Sequence, residues 1–365
     1  MPAGSRKEKG SIVIIAFIAP RFHTNQAELV EQLMSLGNTV LYFSYESRYS
    51  EDHRTVSPVV IGYAKLFNRF CNESLRREYG LPSLSGIVSI LSSRPDVAII
   101  RSFSLSSLLL STLLRIRGSK VVLYCQLPIH GKRIPIIKLV YYRGFAREVI
   151  TPVRGVNGSI GNKIVLGQRW TCIPFIKKPN KAAFSREYCP NGVVRILIVG
   201  KFVSRKMIPE CLNVLEKLYR GNFAVKVIGT VIENRVLEEA SKIVGRNEYM
   251  SIAVNIPHEL MDKEYLSSDI FVLPSINEPA SYSQLEAMSC GCAVVCSDSN
   301  GTAEYIEDGV NGMVFRATEF DASLRECLVS MLDANDVVER MGKAGIEAVS
   351  KNHNASAYAS YLRSI

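Results

Sequence analysis

Residues 271–297 read FVLPSINEPASYSQLEAMSCGCAVVCS. Phe271–Leu273 closes a continuous apolar run, a short loop follows with Asn277, Glu278 and Pro279, and a second apolar run occupies Ala293–Ser297. Runs this short, bounded by turn residues and separated by a helical stretch, are the pattern of buried parallel strands. Ser281 and Gln284 have the spacing of a capping box, which places a helix N-terminus there. Gly291 stands where a C-terminal cap would end that helix. Glu278 then lies at the strand's carboxyl end, and Glu286 lies inside the helix on a different face from Leu285 and Met288. Open α/β sheets bind ligands at the carboxyl ends of their strands. A helix N-terminus at that position offers unpaired N–H groups and a positive dipole, suited to a diphosphate. Two carboxylates near such a group would repel it, so they make more sense as acceptors for sugar or ribose hydroxyls.

Outward from this stretch, β-branched runs alternate with helical patterns, which indicates βα units and a parallel sheet. In the first half the strands are expected at Ile12–Ala19, Thr39–Ser44, Val97–Arg101, Lys120–Cys125 and Glu148–Thr151. Helices are expected at Gln26–Leu36, Ala64–Tyr79, Leu105–Arg115 and Pro135–Arg147. The second half restarts at Val194–Val199 and adds strands at Ala224–Ile228 and Asp269–Leu273, with helices at Pro209–Tyr219 and Asn234–Val244. Between the halves, Lys177–Val193 holds Pro179, Pro190 and Gly192 without sustained periodicity. The fold class is therefore α/β: two Rossmann-like, doubly wound parallel-sheet domains facing across a cleft. The expected division is 1–180, a linker at 181–193, 194–345, and a C-terminal helix in 346–365 packing back on the first domain.

The length of 365 residues suits two domains, and 47 % apolar with 21 % charged residues excludes a disordered chain. Nine cysteines, an odd number without framework spacing, point to a reduced, cytosolic protein. No secretory signal is recognisable, and no apolar run is long enough to span a bilayer. The net charge of +10 is unevenly placed: residues 1–190 carry 27 Lys and Arg against 11 Asp and Glu, whereas 191–365 carry 17 against 23. One domain thus faces something anionic.

The ordered set Glu278-Pro279, Glu286-Ala287-Met288, Gly291, Val294-Val295, Gly301 and Glu304, continued by Asp308-Gly309 and preceded by Glu259-Leu260 and Tyr265-Leu266, resembles the Glu-x7-Glu signature of retaining glycosyltransferases of family 4. Those proteins have the GT-B fold. The resemblance covers about 160 residues of the second half. It implies a nucleotide-sugar donor, with Glu286 holding the ribose hydroxyls and Glu278, as a catalytic residue, meeting the transferred sugar. Gly200-Lys201-Phe202 with Arg205-Lys206 resembles the family element whose two cations grip the donor diphosphate, a role implied for Lys201 and Lys206. Two such cations could neutralise the diphosphate and the charge of its departure. Lys201 stands where arginine is usual and Met207 where glycine is usual, which replaces a fork by a point charge and a flexible turn by a bulkier one. Ala280-Ser281 replaces an aromatic-glycine pair, so the sugar pocket around Ser281, Tyr282 and Ser283 is expected to differ in shape. No Asp-x-Asp motif occurs, and neither metal nor cofactor is expected.

On the acceptor side, His23, Thr24 and Asn25 follow the first strand and could bind acceptor or phosphate, although Asn25 also suits a helix cap. Gln126 and His130 follow the strand at Lys120–Cys125, and by the resemblance His130 is a second catalytic candidate at the donor sugar. In that family the leaving phosphate accepts the acceptor's proton, so no strong separate base is required. Residues 132–143 and the stretch Tyr63, Lys65, Leu66, Phe67, Arg69, Phe70, Arg76 and Arg77 mix cations with apolar residues. Such segments suit an anionic membrane surface. The expected function is a metal-independent hexosyltransferase of glycoconjugate or polysaccharide biosynthesis. It would use a UDP sugar and a lipid-linked or glycan acceptor, peripherally on the inner face of the cell membrane. The alternatives are a nucleotide-sugar epimerase of the same architecture and a non-enzymatic binder of anionic surfaces. No nucleic-acid signature supports a nucleic-acid partner.

Overall fold

The computed structural model describes residues 13–22, 24–47, 56–72, 75, 79–101, 104–126, 148–154 and 169–365. The first sheet contains β1 (Ile14–Ala19), β2 (Thr39–Ser44), β3 (Val59–Val60), β4 (Val97–Arg101), β5 (Lys120–Tyr124), β6 (Glu148–Thr151) and β7 (Arg169–Cys172). Its order is β3-β2-β1-β4-β5-β6-β7, and all pairs are parallel. The second sheet contains β8 (Val194–Val199), β9 (Phe223–Gly229), β10 (Met250–Val254), β11 (Ile270–Leu273), β12 (Ala293–Ser297) and β13 (Gly312–Phe315). Its order is β10-β9-β8-β11-β12-β13, again parallel throughout.

Each sheet is buried on both faces, which is why its strands read as unbroken apolar runs. In β1, Ile15, Phe17 and Ala19 join one core and Ala16 and Ile18 the other. In the second sheet, Ile196, Ile198, Ile270 and Val272 face one core, and Leu197, Phe271 and Leu273 the opposite one. A charge is also buried here: Asp269, fully enclosed, pairs with Arg186 at 3.1 Å and Arg195 at 2.7 Å.

Arg186 comes from the segment expected to be a linker. That segment is ordered, with short 3-10 turns at Lys181–Ser185 and Pro190–Gly192, and Arg186 also donates to Cys290 O at 2.9 Å. It is fastened to the second domain by this burial. At the other end, the helix Asn335–Asn352 runs unbroken through position 346, with Val349 in the second domain's core. The chain crosses over only at His353, and Ala355 with Tyr358, Tyr361 and Leu362 of the following helix Ser356–Ser364 pack into the core of the first sheet.

The two crossings are tied together. His353 Nδ1 lies 2.8 Å from Phe175 O, Lys177 N donates to His353 O at 2.9 Å, and Tyr305 OH donates to Pro152 O at 2.6 Å. The end of β6 therefore meets the loop after β12, so the carboxyl ends of the two sheets face each other. The helix expected at Ala64–Tyr79 is interrupted: it covers Lys65–Phe70, Cys71 and Asn72 are not helical, and Leu75 and Tyr79 are again helical. Tyr63 turns inward and stacks on Tyr45, whereas Leu66 and Phe70 are exposed. The helix expected at 135–147 lies outside the described residues, as do Arg76 and Arg77.

Candidate active site

At the carboxyl ends of β8, β9 and β11 is a cleft of about 360 Å³ lined by Gly200, Lys201, Arg205, Lys206, Thr230, Glu278 and Ser281–Ser283, with Ile256 and Met261 as an apolar wall. The position follows from topology, because β8 and β11 flank the point where the strand order reverses. Gly229 is required at its floor: a Cβ there would lie 2.2 Å from Gly200 O.

Glu278 is 6 % exposed, and its Oε2 accepts from both Lys206 Nζ at 2.6 Å and Arg205 Nη1. Lys206 is buried; burial lowers its pKa, with Arg205 and Lys201 pushing the same way against the pull of Glu278. Lys201 lines the same cleft and is exposed. The structure thus brings Lys201, Lys206 and Glu278 together and adds Arg205 as a third cation. The sequence marked Arg205 as part of the basic motif but assigned it no role.

The loop geometry is held by contacts between elements. Ile276 N donates to Arg205 O at 2.9 Å, and Gly301 N donates to Glu278 O at 2.9 Å. A Cβ on Gly301 would lie 2.0 Å from Pro279 O, so that approach needs glycine. Met207 ends the basic turn at φ 49, in the left-handed region that glycine would adopt freely.

The expected capping box is corrected. The helix Tyr282–Ser289 starts after Ser281, but Ser281 makes no side-chain cap bond; its hydroxyl lies 2.9 Å from Ser283 Oγ. Gln284 turns inward, its Nε2 donating to Thr302 O at 2.8 Å and its Oε1 accepting from Asn300 Nδ2 at 2.7 Å. A buried amide with partners on a neighbouring loop has more to lose than an exposed cap has to gain. The helix N-terminus therefore keeps N–H groups available to the cleft. Tyr282 lines the cleft while its hydroxyl donates to Ile176 O at 3.0 Å, which links the site to a domain crossing.

Glu286 is also buried and is not among the residues that line the cleft. His258 Nε2 is 3.0 Å from its Oε1, and Tyr265 OH donates to its Oε2 at 3.1 Å. Burial alone would raise its pKa, but His258, with Lys177 and Tyr265, outweighs that and holds it below the usual carboxylate range. The hydrogen bond to Glu286 in turn raises the pKa of His258. No role was assigned to His258 from the sequence, and only the fold brings it to Glu286.

On the first domain, Asn25 follows the first residue of the helix Thr24–Ser35 and its Oδ1 accepts from Arg101 Nη1 at 3.3 Å. Arg101 ends β4 and also donates to Gln126 Oε1 at 2.5 Å. Thr24 begins the helix; His23 and His130 lie outside the described residues. Glu304, part of the sequence signature, accepts Arg154 N on both carboxylate oxygens at 2.9 Å and so joins the two domains.

Residues 184–348 match the family model described as glycosyl transferases group 1. Alpha-maltose-1-phosphate synthase of Mycobacterium tuberculosis is 38 % identical over 89 residues, which is 23 % of this chain and 23 % of that protein. Across the first curated relatives, the match spans between 23 % and 42 % of their own length. A glycosyltransferase from Rickettsia africae superposes with a TM-score of 0.73 at 16 % identity, covering 96 % of this chain and 98 % of its own. HepE of Anabaena, solved with UDP and glucose, gives 0.73 at 12 % identity, covering 97 % and 100 %. At such identities the superpositions establish the fold, that of two-domain glycosyltransferases.

Proposed function

We propose that the chain, whose residues 184–348 match the glycosyl transferases group 1, is a retaining, metal-independent glycosyltransferase. It takes a nucleotide sugar, most simply a UDP sugar, and passes the sugar to an acceptor held by the basic first domain. The observation that carries this reading is the convergence of Lys201, Arg205, Lys206 and the N-terminus of the helix Tyr282–Ser289 on one cleft with Glu278 at its floor. Three cations and a set of outward N–H groups suit a diphosphate, and they can offset the charge that develops on it as the sugar departs without a divalent ion. The apolar wall at Ile256 and Met261 offers a face for a nucleobase. Glu286, anchored by His258 and Tyr265, is the acceptor for ribose hydroxyls in this reading. Glu278 meets the sugar once the incoming diphosphate draws Lys206 and Arg205 away from it.

The acceptor is a membrane-associated glycan or lipid-linked sugar in this reading, and the protein works peripherally at an anionic bilayer. Exposed Leu66 and Phe70 beside Lys65 and Arg69 support a surface of that kind. Among the described residues no helix is long and apolar enough to cross a membrane.

The test is turnover of a panel of nucleotide sugars with lipid-phosphate and sugar-phosphate acceptors in the presence of chelator. Transfer is expected to survive the chelator. Lys206→Met is expected to reduce kcat/KM by about 10²–10³-fold, the usual loss for one preorganised electrostatic contact. Glu278→Ala is expected to reduce it as well. Activity abolished by chelator, or indifferent to both substitutions, overturns the mechanism.

A further inference from the structure

The first sheet also reverses its strand order, between β1 and β4. Arg101, the last residue of β4, occupies this point. Its Nη1 donates to Asn25 Oδ1 at 3.3 Å, its Nη2 donates to Gln126 Oε1 at 2.5 Å, and its Cζ lies 5.4 Å from the centre of the Tyr124 ring. All three partners are neutral, and no carboxylate among the described residues pairs with it. The contrast with Arg186 and Arg195, which share Asp269, is direct. Burial is the largest influence on Arg101 and lowers its pKa, with Tyr124, Tyr42 and Cys125 pulling it back.

The residue after Asn25 holds a donor that lacks a partner. Gln26, the third residue of the helix Thr24–Ser35, is 2 % exposed; its Oε1 accepts from Tyr42 OH, and its Nε2 is buried without a hydrogen bond. The first-turn N–H groups of that helix add a positive pole. Tyr124 lies within electrostatic reach of Tyr282, which lines the donor cleft.

We propose that Arg101, with Asn25, Gln126 and the first turn of the helix Thr24–Ser35, binds a phosphate group carried by the acceptor. These groups arrive from three separate elements: β4, the first turn of the helix Thr24–Ser35, and the segment after β5, where Gln126 Nε2 donates to Tyr124 OH at 3.1 Å. That arrangement suits the several oxygens of a phosphate. A fixed phosphate here positions the acceptor's hydroxyl against the donor sugar. The proposal rests on the transferase reading of the donor cleft.

The full-length protein loaded with UDP is titrated with glucose 1-phosphate and, as neutral control, methyl glucoside, using calorimetry. In parallel it is sedimented with vesicles containing polyprenyl phosphate or neutral lipid alone. Glucose 1-phosphate is expected to bind about tenfold or more tightly than methyl glucoside, as charge-assisted hydrogen bonds predict. Arg101→Gln is expected to remove that difference while leaving UDP affinity within about twofold and Arg101→Lys to restore part of it. Capture by polyprenyl phosphate vesicles alone, lost in R101Q, assigns the phosphate to a lipid; glucose 1-phosphate binding lost in R101Q assigns it to a soluble sugar phosphate. Either supports the site. Phosphate binding that is unchanged in R101Q, or that is lost in K206M but not in R101Q, overturns it. If UDP itself fails to bind the wild type, the donor reading fails, while an Arg101-dependent response to phosphate still stands.

Discussion

The two reversal points, β8 beside β11 and β1 beside β4, are equivalent places in the two sheets, yet they are furnished differently. On the second domain each buried charge has an opposite partner: Glu278 with Lys206 and Arg205, Glu286 with His258, Asp269 with Arg186 and Arg195. On the first, Arg101 is held by amide oxygens and an aromatic ring. A matched set is stable by itself and yields its cations only to a ligand of higher charge. An unmatched cation stores the desolvation cost that a ligand can relieve. The comparison therefore separates a domain whose site is electrostatically complete from one whose site is completed by what it binds.

The largest expected effect breaks that comparison on stability. Asp269→Ala leaves Arg186, whose side chain is 3 % exposed, buried without a counter-charge. It is expected to lower the unfolding free energy by about 3–5 kcal/mol, the usual result of breaking a buried pair from one side. Arg101→Met removes an unmatched cation, leaves Asn25 and Gln126 able to reach water, and is expected to change stability by less than about 1 kcal/mol. Urea unfolding of both variants decides it. Equal losses would mean that Arg101 is as much a structural charge as Arg186 and Arg195.

A smaller effect sharpens the same contrast through pH. The folded-state pKa of His258 is raised by Glu286, so its contribution to stability is complete below the ordinary histidine value of about 6.5 and fades as pH rises through the folded value. The folded-state pKa of Glu286 is lowered, so its share is present above the ordinary carboxylate range and fades as pH falls through the folded value. The pair therefore helps most in the window between these two ranges. His258→Gln is expected to destabilise more at about pH 5.5 than at about pH 8.5, measured by urea unfolding at both. Arg101 stays charged throughout this interval, so Arg101→Met should show the same difference at both pH values. A pH-independent effect of His258→Gln would mean that the contact with Glu286 acts as a neutral hydrogen bond.

The candidate site was more legible on the second domain than on the first, while both sheets were legible wherever their strands are buried. Val194–Val199 and Ala293–Ser297 announce themselves because both faces of each strand are buried. Met250–Val254 and Arg169–Cys172 escaped notice: the first is a partly exposed edge strand of five residues, and the second carries no apolar run. Glu278, Lys201 and Lys206 were found because strand, loop and helix signals fix their positions along the chain. Arg101 was not, because Asn25 lies 76 residues before it and Gln126 25 residues after it, and neither spacing has a local signature. The false capping box has a related cause. Ser281 and Gln284 have the right interval, but a buried loop three strands' length away in sequence supplied Thr302 and Asn300 as better partners for Gln284.

The smallest effect tests how firmly the donor side is preset. Met207 holds φ 49 and ψ 33 at the start of the helix Ile208–Leu218, with its N–H bonded to Ser204 O and its carbonyl accepting from Cys211 N at 3.0 Å. A side chain in the left-handed region costs about 1–2 kcal/mol. Glycine would relieve this but would give back about 0.5–1 kcal/mol through the greater freedom of the unfolded chain. Met207→Gly is therefore expected to stabilise the protein by no more than about 1 kcal/mol, with UDP affinity kept, because the adjoining Lys206 is placed by burial and by Glu278 more than by the turn. A clear loss of stability would show that the methionine side chain outweighs its backbone strain. The basic turn would then be held by packing, and the electrostatic completeness of the donor side would depend on a residue that carries no charge.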